Sequence, residues 1–202
     1  NNYGIKNADY GAGAISAIYR YGLTNWLTLS MHTEDRQGLT NGGVGSDIAI
    51  GALGTLSLSA STSKGDGQGD QYSAGYSYYG NIWGINYQHI QRSENFANLS
   101  SYRSTVTLSR QSDQATLSLS PWGKILGSFS LGYFDIQAQD DSRTRLMNLS
   151  WSRSLWRNSS FNISINRDLQ ANTYSSMMQI TIPFDGFGSL QLRDRKSTRL
   201  NS

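Results

Sequence analysis

Few side chains in this 202-residue chain could do acid–base or metal chemistry. His32 and Glu34 stand two apart, which puts both on one face of a strand and could begin a metal site, but no third ligand accompanies them. His89 is alone near a loop. Asp66 and Asp70 lie in a Gly-rich stretch and could ligate calcium, yet the spacing of an EF-hand is missing, which leaves a solvated loop. Asp140 and Asp141 are adjacent, so on a strand they point to opposite sides and make no acid and base pair. The Asn-X-Ser triplets at Asn98, Asn148, Asn158 and Asn162 would matter only in a eukaryotic secretory protein. With two His and no Cys there is no basis for a nucleophile, a Cys-ligated metal or a disulfide framework. The expectation is a protein that is not an enzyme and has no catalytic residue, metal or cofactor.

The elements around these side chains are strands. Charged residues make up 15%, well below the roughly 25% of soluble domains, with 21 Gly and 2 Pro. Mean hydropathy is −0.48, and no run approaches the roughly 18 apolar residues of a membrane-spanning helix. A transmembrane β-barrel remains open, because its strands need an apolar residue only at every second position. The hairpin from Gln114 to Asp135 has that pattern: Ala115, Leu117 and Leu119 share a face, as do Phe129, Leu131 and Tyr133, and Pro121-Trp122-Gly123-Lys124 turns between them. Leu56, Leu58 and Ala60 alternate in the same way with Ser57, Ser59 and Ser61.

Short connections are expected at Gly22, Ala52, Gly80, Pro121, 155–158 and 183–188. Long or charged ones are expected at 34–43, 64–70, 91 onward, 137–143 and 168–173. The two kinds alternate, as turns and loops do at the two ends of an outer-membrane barrel, if 112–120 is one strand and 105–110 belongs to a long loop. That gives twelve antiparallel strands, the last from Phe187 to Leu192. Trp26, Trp83, Trp122 and Trp156 fall at the short-turn end, with Trp151 within a few residues of it, as expected of an interfacial girdle. The apolar faces then meet lipid. The lumen is lined by Ser57, Ser59, Ser61, Asn86, Gln88, Thr116, Ser118, Ser128, Ser130, Asn148, Ser150, Asn162, Ser164 and Asn166, all small or neutral and hydrogen-bonding.

The net charge of +3 rests on residues 194–202, without which it is +1. Such a tail could be a nucleic-acid-binding arm, but it breaks the alternation and resembles translated adapter sequence. It is read as non-native, with no nucleic-acid partner expected. The chain starts at Asn1 with no Met or signal peptide, which fits a processed or cut product.

Tyr19-Arg20-Tyr21-Gly22-Leu23-Thr24-Asn25-Trp26-Leu27-Thr28-Leu29, Gly51-Ala52-Leu53-Gly54-Thr55-Leu56-Ser57-Leu58, Ser130-Leu131-Gly132-Tyr133-Phe134-Asp135 and Ile180-Thr181-Ile182-Pro183-Phe184 together resemble the translocation barrel of fimbrial ushers. The resemblance runs from about Tyr10 to Arg193. It implies an all-β, antiparallel transmembrane β-barrel, of which residues 1–193 would be about 12 of 24 strands, following the plug. It also implies location in the bacterial outer membrane, and pilus subunits and periplasmic chaperone–subunit complexes as partners beside outer-membrane lipid. Two alternatives stay open: another outer-membrane barrel, such as a porin or adhesin translocator, and a secreted carbohydrate-binding β-sandwich.

Overall fold

The structure, a computed structural model, describes residues 13–103, 107–121, 125–155, 159–184 and 188–199. It is all-β, with twelve strands in one antiparallel sheet: β1 Ala14–Gly22, β2 Leu27–Arg36, β3 Leu39–Ala49, β4 Thr55–Lys64, β5 Gln68–Tyr79, β6 Trp83–Arg92, β7 Gln111–Leu119, β8 Ser128–Gln137, β9 Arg143–Ser154, β10 Ser160–Asp168, β11 Thr173–Phe184 and β12 Gly188–Arg199. Each strand is hydrogen-bonded to the next in sequence, from β1 to β12. One sheet in sequential order leaves no place for the two-sheet sandwich entertained above, whose core needs a second sheet to close on.

The chain divides into two compact units, one of Asn1–Gly75, His89–Gln111 and Ala138–Asp141, the other of Tyr76–Gln88, Ser112–Gln137 and Ser142–Ser202. In the first, the register sets Leu27, Leu29 and Met31 of β2 opposite Ile48, Ser46 and Val44 of β3. It sets Asp47, Gly45 and Gly43 of β3 opposite Ser57, Ser59 and Ser61 of β4 on the other face. In the second, one face carries the rows Phe129–Trp151–Ile163–Met178 and Leu131–Leu149–Ile165–Ser176. Among the described residues, the apolar face of each unit stands exposed. Met31, Val44, Leu58, Leu149 and Met178 are all exposed, Leu149 at 49%, whereas among the described residues the buried hydrophobic side chains are Leu39, Phe96 and Tyr102. A sheet that buries so little has its stabilising medium outside itself.

Two expected loops are strand instead. Residues 34–43 read as a polar Gly/Asn loop, yet β2 and β3 pair through Glu34↔Asn41 and Arg36↔Leu39 and turn in two residues, with Gly38 at φ +86°. Residues 64–70 likewise turn between Lys64 and Gln68. Backbone pairing there continues past the apolar rows, so alternation vanishes while the ladder does not. The glycines serve packing: a Cβ on Gly43 would lie 2.4 Å from His32 Cε1 and 2.6 Å from Ser61 Cβ. Residues 107–110 are not strand, and the connection from β6 to β7 is the long one, as expected. β12 extends past Leu192 to Arg199.

Candidate functional site: a polar wall and a seated segment

Ser57, Ser59 and Ser61 share one face of β4 in the first unit, and in the second the register brings Ser128, Ser130, Asn148, Ser150, Asn162, Ser164 and Asn166 onto one face. In the second unit the register forms continuous rows: Ser128–Ser152–Asn162–Gln179, Ser130–Ser150–Ser164–Met177 and Gly132–Asn148–Asn166–Ser175. Asn148 Nδ2 donates to Asn166 Oδ1 at 2.7 Å, the Ser118 hydroxyl donates to the Gly84 carbonyl at 3.3 Å, and the Ser120 and Ser128 hydroxyls bond each other. Thr116 shares β7 and its parity with Ser118; Asn86 and Gln88 share β6 and its parity with Gly84. In the first unit the Ser59 and Ser73 hydroxyls are 2.7 Å apart, and Ser57 donates to Asp47 Oδ1 at 2.7 Å while Arg20 Nη2 donates to Oδ2 at 2.8 Å. These are short side chains that bond sideways to one another, which leaves a wall with few protruding charges.

Over the first unit's polar face, at the long-connection end, lies the segment 93–103, part of the connection from β6 to β7. Its base is clamped by Arg92: Nε donates to Gln71 Oε1 at 2.6 Å, and Nη1 donates to the Ser109 carbonyl and hydroxyl at 3.1 and 3.0 Å. The wall accepts two backbone bonds from it, Leu99 N–H donating to Glu34 Oε2 at 3.0 Å and Ala97 N–H to Ser63 Oγ at 2.9 Å, and gives one in return, Asp70 N–H donating to Ser93 Oγ at 2.8 Å. Phe96, Tyr102 and Leu39 are 7%, 4% and 1% exposed, and Tyr102 and Leu39 meet beside Gly65. Glycines make the bed. A Cβ on Gly69 would lie 2.1 Å from Phe96 N, one on Gly67 2.9 Å from Asn95 Cγ, and one on Gly65 3.0 Å from Tyr102 Cε2. Sequence gave no pointer to these partners, because Glu34 and Leu99 lie 65 residues apart.

The side chains first considered for chemistry sit elsewhere in this plan. Glu34 Oε2 is taken by Asn41 Nδ2 and Leu99 N, and His32 packs at Gly43. Asp66 accepts from Tyr102 O–H at 3.3 Å, and Asp70 is tied through its backbone to Ser93. His89 lies in β6 on the parity of Trp83 and Tyr87. Asp141 pairs with Arg110 at 3.1 Å. Asn98 Oδ1 caps the turn it starts, accepting from Ser100 and Ser101 N–H. Among the described residues no three His, Asp or Glu come together as a metal site would require.

At the short-turn end Trp26 and Trp83 are 55% and 45% exposed, and Trp83 packs on Tyr78 with ring centroids 4.4 Å apart. Trp122 and Trp156 lie outside the described residues. Trp151 sits between Phe129 and Phe161, at centroid distances of 6.3 and 5.6 Å, and donates its indole N–H to the Leu126 carbonyl at 2.7 Å. Such a ring has an apolar body against the exposed face and its polar atom satisfied at the rim.

A sequential antiparallel sheet, apolar and uncovered on one face and lined with hydrogen-bonded Ser and Asn on the other, has the fold of an outer-membrane β-barrel wall. Within that class it is similar to usher pores. The P pilus usher PapC translocation pore superposes with a TM-score of 0.63 at 18% identity, over 91% of this chain and 41% of that one. The E. coli P pilus tip assembly intermediate PapC-PapD-PapK-PapG gives 0.74 at 19%, over 96% and 27%. OpdO of Pseudomonas aeruginosa gives 0.54 at 14%, over 91% and 57%. The chain thus spans less than half the length of the usher chains it matches. No family model and no curated protein matches the sequence.

Proposed function

We propose that this chain is part of the translocation-barrel wall of a fimbrial usher in the bacterial outer membrane. The complete protein would export and order pilus subunits delivered by periplasmic chaperones, without covalent chemistry or a cofactor. The observation that carries the reading is the two-faced register. Apolar rows such as Leu131–Leu149–Ile165 lie uncovered, and Ser130–Ser150–Ser164 rows back them. Lipid suits the first. The second suits a wet passage that a folded subunit can cross without an electrostatic trap. The similarity to two usher structures over nine-tenths of the chain supports ushers within the barrel class, and the chaperone and subunit partners come from the second of those complexes.

We assign residues 1–193 to the wall and regard 194–202 as foreign to it. The register sets Asp194 opposite Met178 and Lys196 opposite Ser176, in the rows of Ile163 and Ile165. A Lys at mid-bilayer on the lipid face costs about 2–4 kcal/mol, and no native wall gains from it. The similarity to OpdO favours a second reading, a different outer-membrane barrel that conducts solutes.

Replacing Ser59, Ser118 and Ser164 together by Leu in the complete protein is expected to cut pilus export, measured as surface pili, while leaving the barrel folded by heat-modifiable gel migration. Undiminished piliation would refute a role for the polar face in passage.

A further inference from the structure

On the face that carries Leu131 and Leu149, the second unit changes character near the long-connection end of its strands. Beyond Tyr133↔Met147 come Asp135↔Arg145 and Gln137↔Arg143, and Arg167 stands opposite Met147. Neighbouring strands are about 4.8 Å apart, and alternate residues along a strand about 7 Å. Arg143, Arg145 and Arg167 therefore share one patch immediately above the apolar rows.

Their charges are unevenly answered. Asp135, 8% exposed, holds Arg143 in a bidentate pair, Nε to Oδ1 at 2.6 Å and Nη2 to Oδ2 at 2.7 Å, and accepts Tyr133 O–H at 3.1 Å. Asp113, which accepts Tyr87 O–H at 2.9 Å, adds its charge on the side of Arg143. Among the described residues Arg145 reaches the already shared Asp135 Oδ2, at 3.2 Å through Nε and without hydrogen-bond geometry. Arg167 lies over the Tyr174 ring, 5.0 Å from its centroid, which orients the guanidinium without neutralising it. The first unit's rim differs: there Thr40 stands between Asp35 and Lys64, one charge of each sign.

A patch with its positive excess on Arg145 and Arg167, bordered on one side by bare Leu and Met, fits an amphipathic anion. Guanidinium forks pair with phosphate in bidentate fashion, which a neutral headgroup does not reproduce. We propose that Arg145 and Arg167 form a binding site for the phosphate of a phosphorylated lipid headgroup in the outer leaflet, with its acyl chains lying along Met147, Leu149 and Leu131. This rests on the reading that the apolar face meets lipid and that the long connections are extracellular.

The test uses the complete protein in detergent, titrated with diphosphorylated lipid A and followed by native mass spectrometry. Its arms are dephosphorylated lipid A, inorganic phosphate as competitor, the variant R145Q/R167Q, which leaves the Arg143–Asp135 pair intact, and R145K/R167K. Wild type is expected to bind the phosphorylated lipid about tenfold more tightly than the dephosphorylated one, a preference that R145Q/R167Q loses and R145K/R167K partly keeps. Equal binding by wild type and R145Q/R167Q would overturn the site, and displacement of the lipid by inorganic phosphate alone would overturn the lipid as its occupant. Heat-modifiable insertion into phosphatidylcholine liposomes separates the two levels. Wild type that fails to insert overturns the membrane reading and this site with it, whereas insertion without a phosphate preference overturns the site alone.

Discussion

Gly69→Val is expected to lift the segment 93–103 off the polar wall, raising its cleavage by added protease about tenfold or more and increasing the conductance of the complete barrel in planar bilayers. The introduced Cβ would stand 2.1 Å from Phe96 N, 2.3 Å from Phe96 Cα and 2.5 Å from Asn95 C. All three are backbone atoms, with no rotamer to yield. Lifting the segment exposes Phe96, Tyr102 and Leu39, each worth about 1.5–3 kcal/mol of burial, and breaks the Ala97–Ser63 and Leu99–Glu34 hydrogen bonds. The loss is confined to that segment because the strand ladders beneath it do not depend on it. Gly22→Ala is the control, since nothing lies within 4 Å of a Cβ there. Proteolysis and conductance unchanged from wild type would mean that the segment does not rest on Gly69.

Leu149→Arg is expected to destabilise the protein in liposomes by about 2–4 kcal/mol, read from urea unfolding, because the middle of the Leu131–Leu149–Ile165 row would put a guanidinium in hydrocarbon. On a water-exposed strand the same change falls within about 0.5 kcal/mol. Ser150→Arg, one residue along and on the opposite face, is expected to cost far less than Leu149→Arg. Equal small effects at both positions would place the apolar face in water or against protein.

Strand number and facing were legible wherever one face is apolar. From Thr55 to Ala60 a period of two is the only reading, and β4 runs Thr55–Lys64. Legibility failed where both faces are polar. Glu34, Asn41 and Gly43 resemble a loop to any rule based on hydrophobic alternation, yet the backbone pairs Glu34 with Asn41 and His32 with Gly43. A ladder needs no apolar residue, only donors and acceptors in register. Gly43 and Gly69 fall in stretches expected to be loops, 34–43 and 64–70, but both are close-approach positions.

Which residues of a strand share a face follows from parity alone, whereas the seated segment and the arginine patch do not. Asp135 meets Arg143 and Arg145 only through the β8–β9 register. Arg145 and Arg167 are brought together by β10, and Tyr102 reaches Asp66 across 36 residues. Contacts of that kind follow from the register of strands and carry no local pattern in the sequence.

The chain has no cysteine, so single cysteines report without a background. The most direct test of the two-faced wall is a spin label placed in turn at Leu131, Leu149 and Ile165, and at Ser130, Ser150 and Ser164, in the complete protein in liposomes. Relaxation by oxygen and by a water-soluble nickel chelate is then compared at each site. Oxygen is expected to dominate at the first three positions and nickel at the second three. Nickel access at Leu131, Leu149 and Ile165, or no alternation between the two sets, would contradict a lipid-facing apolar sheet.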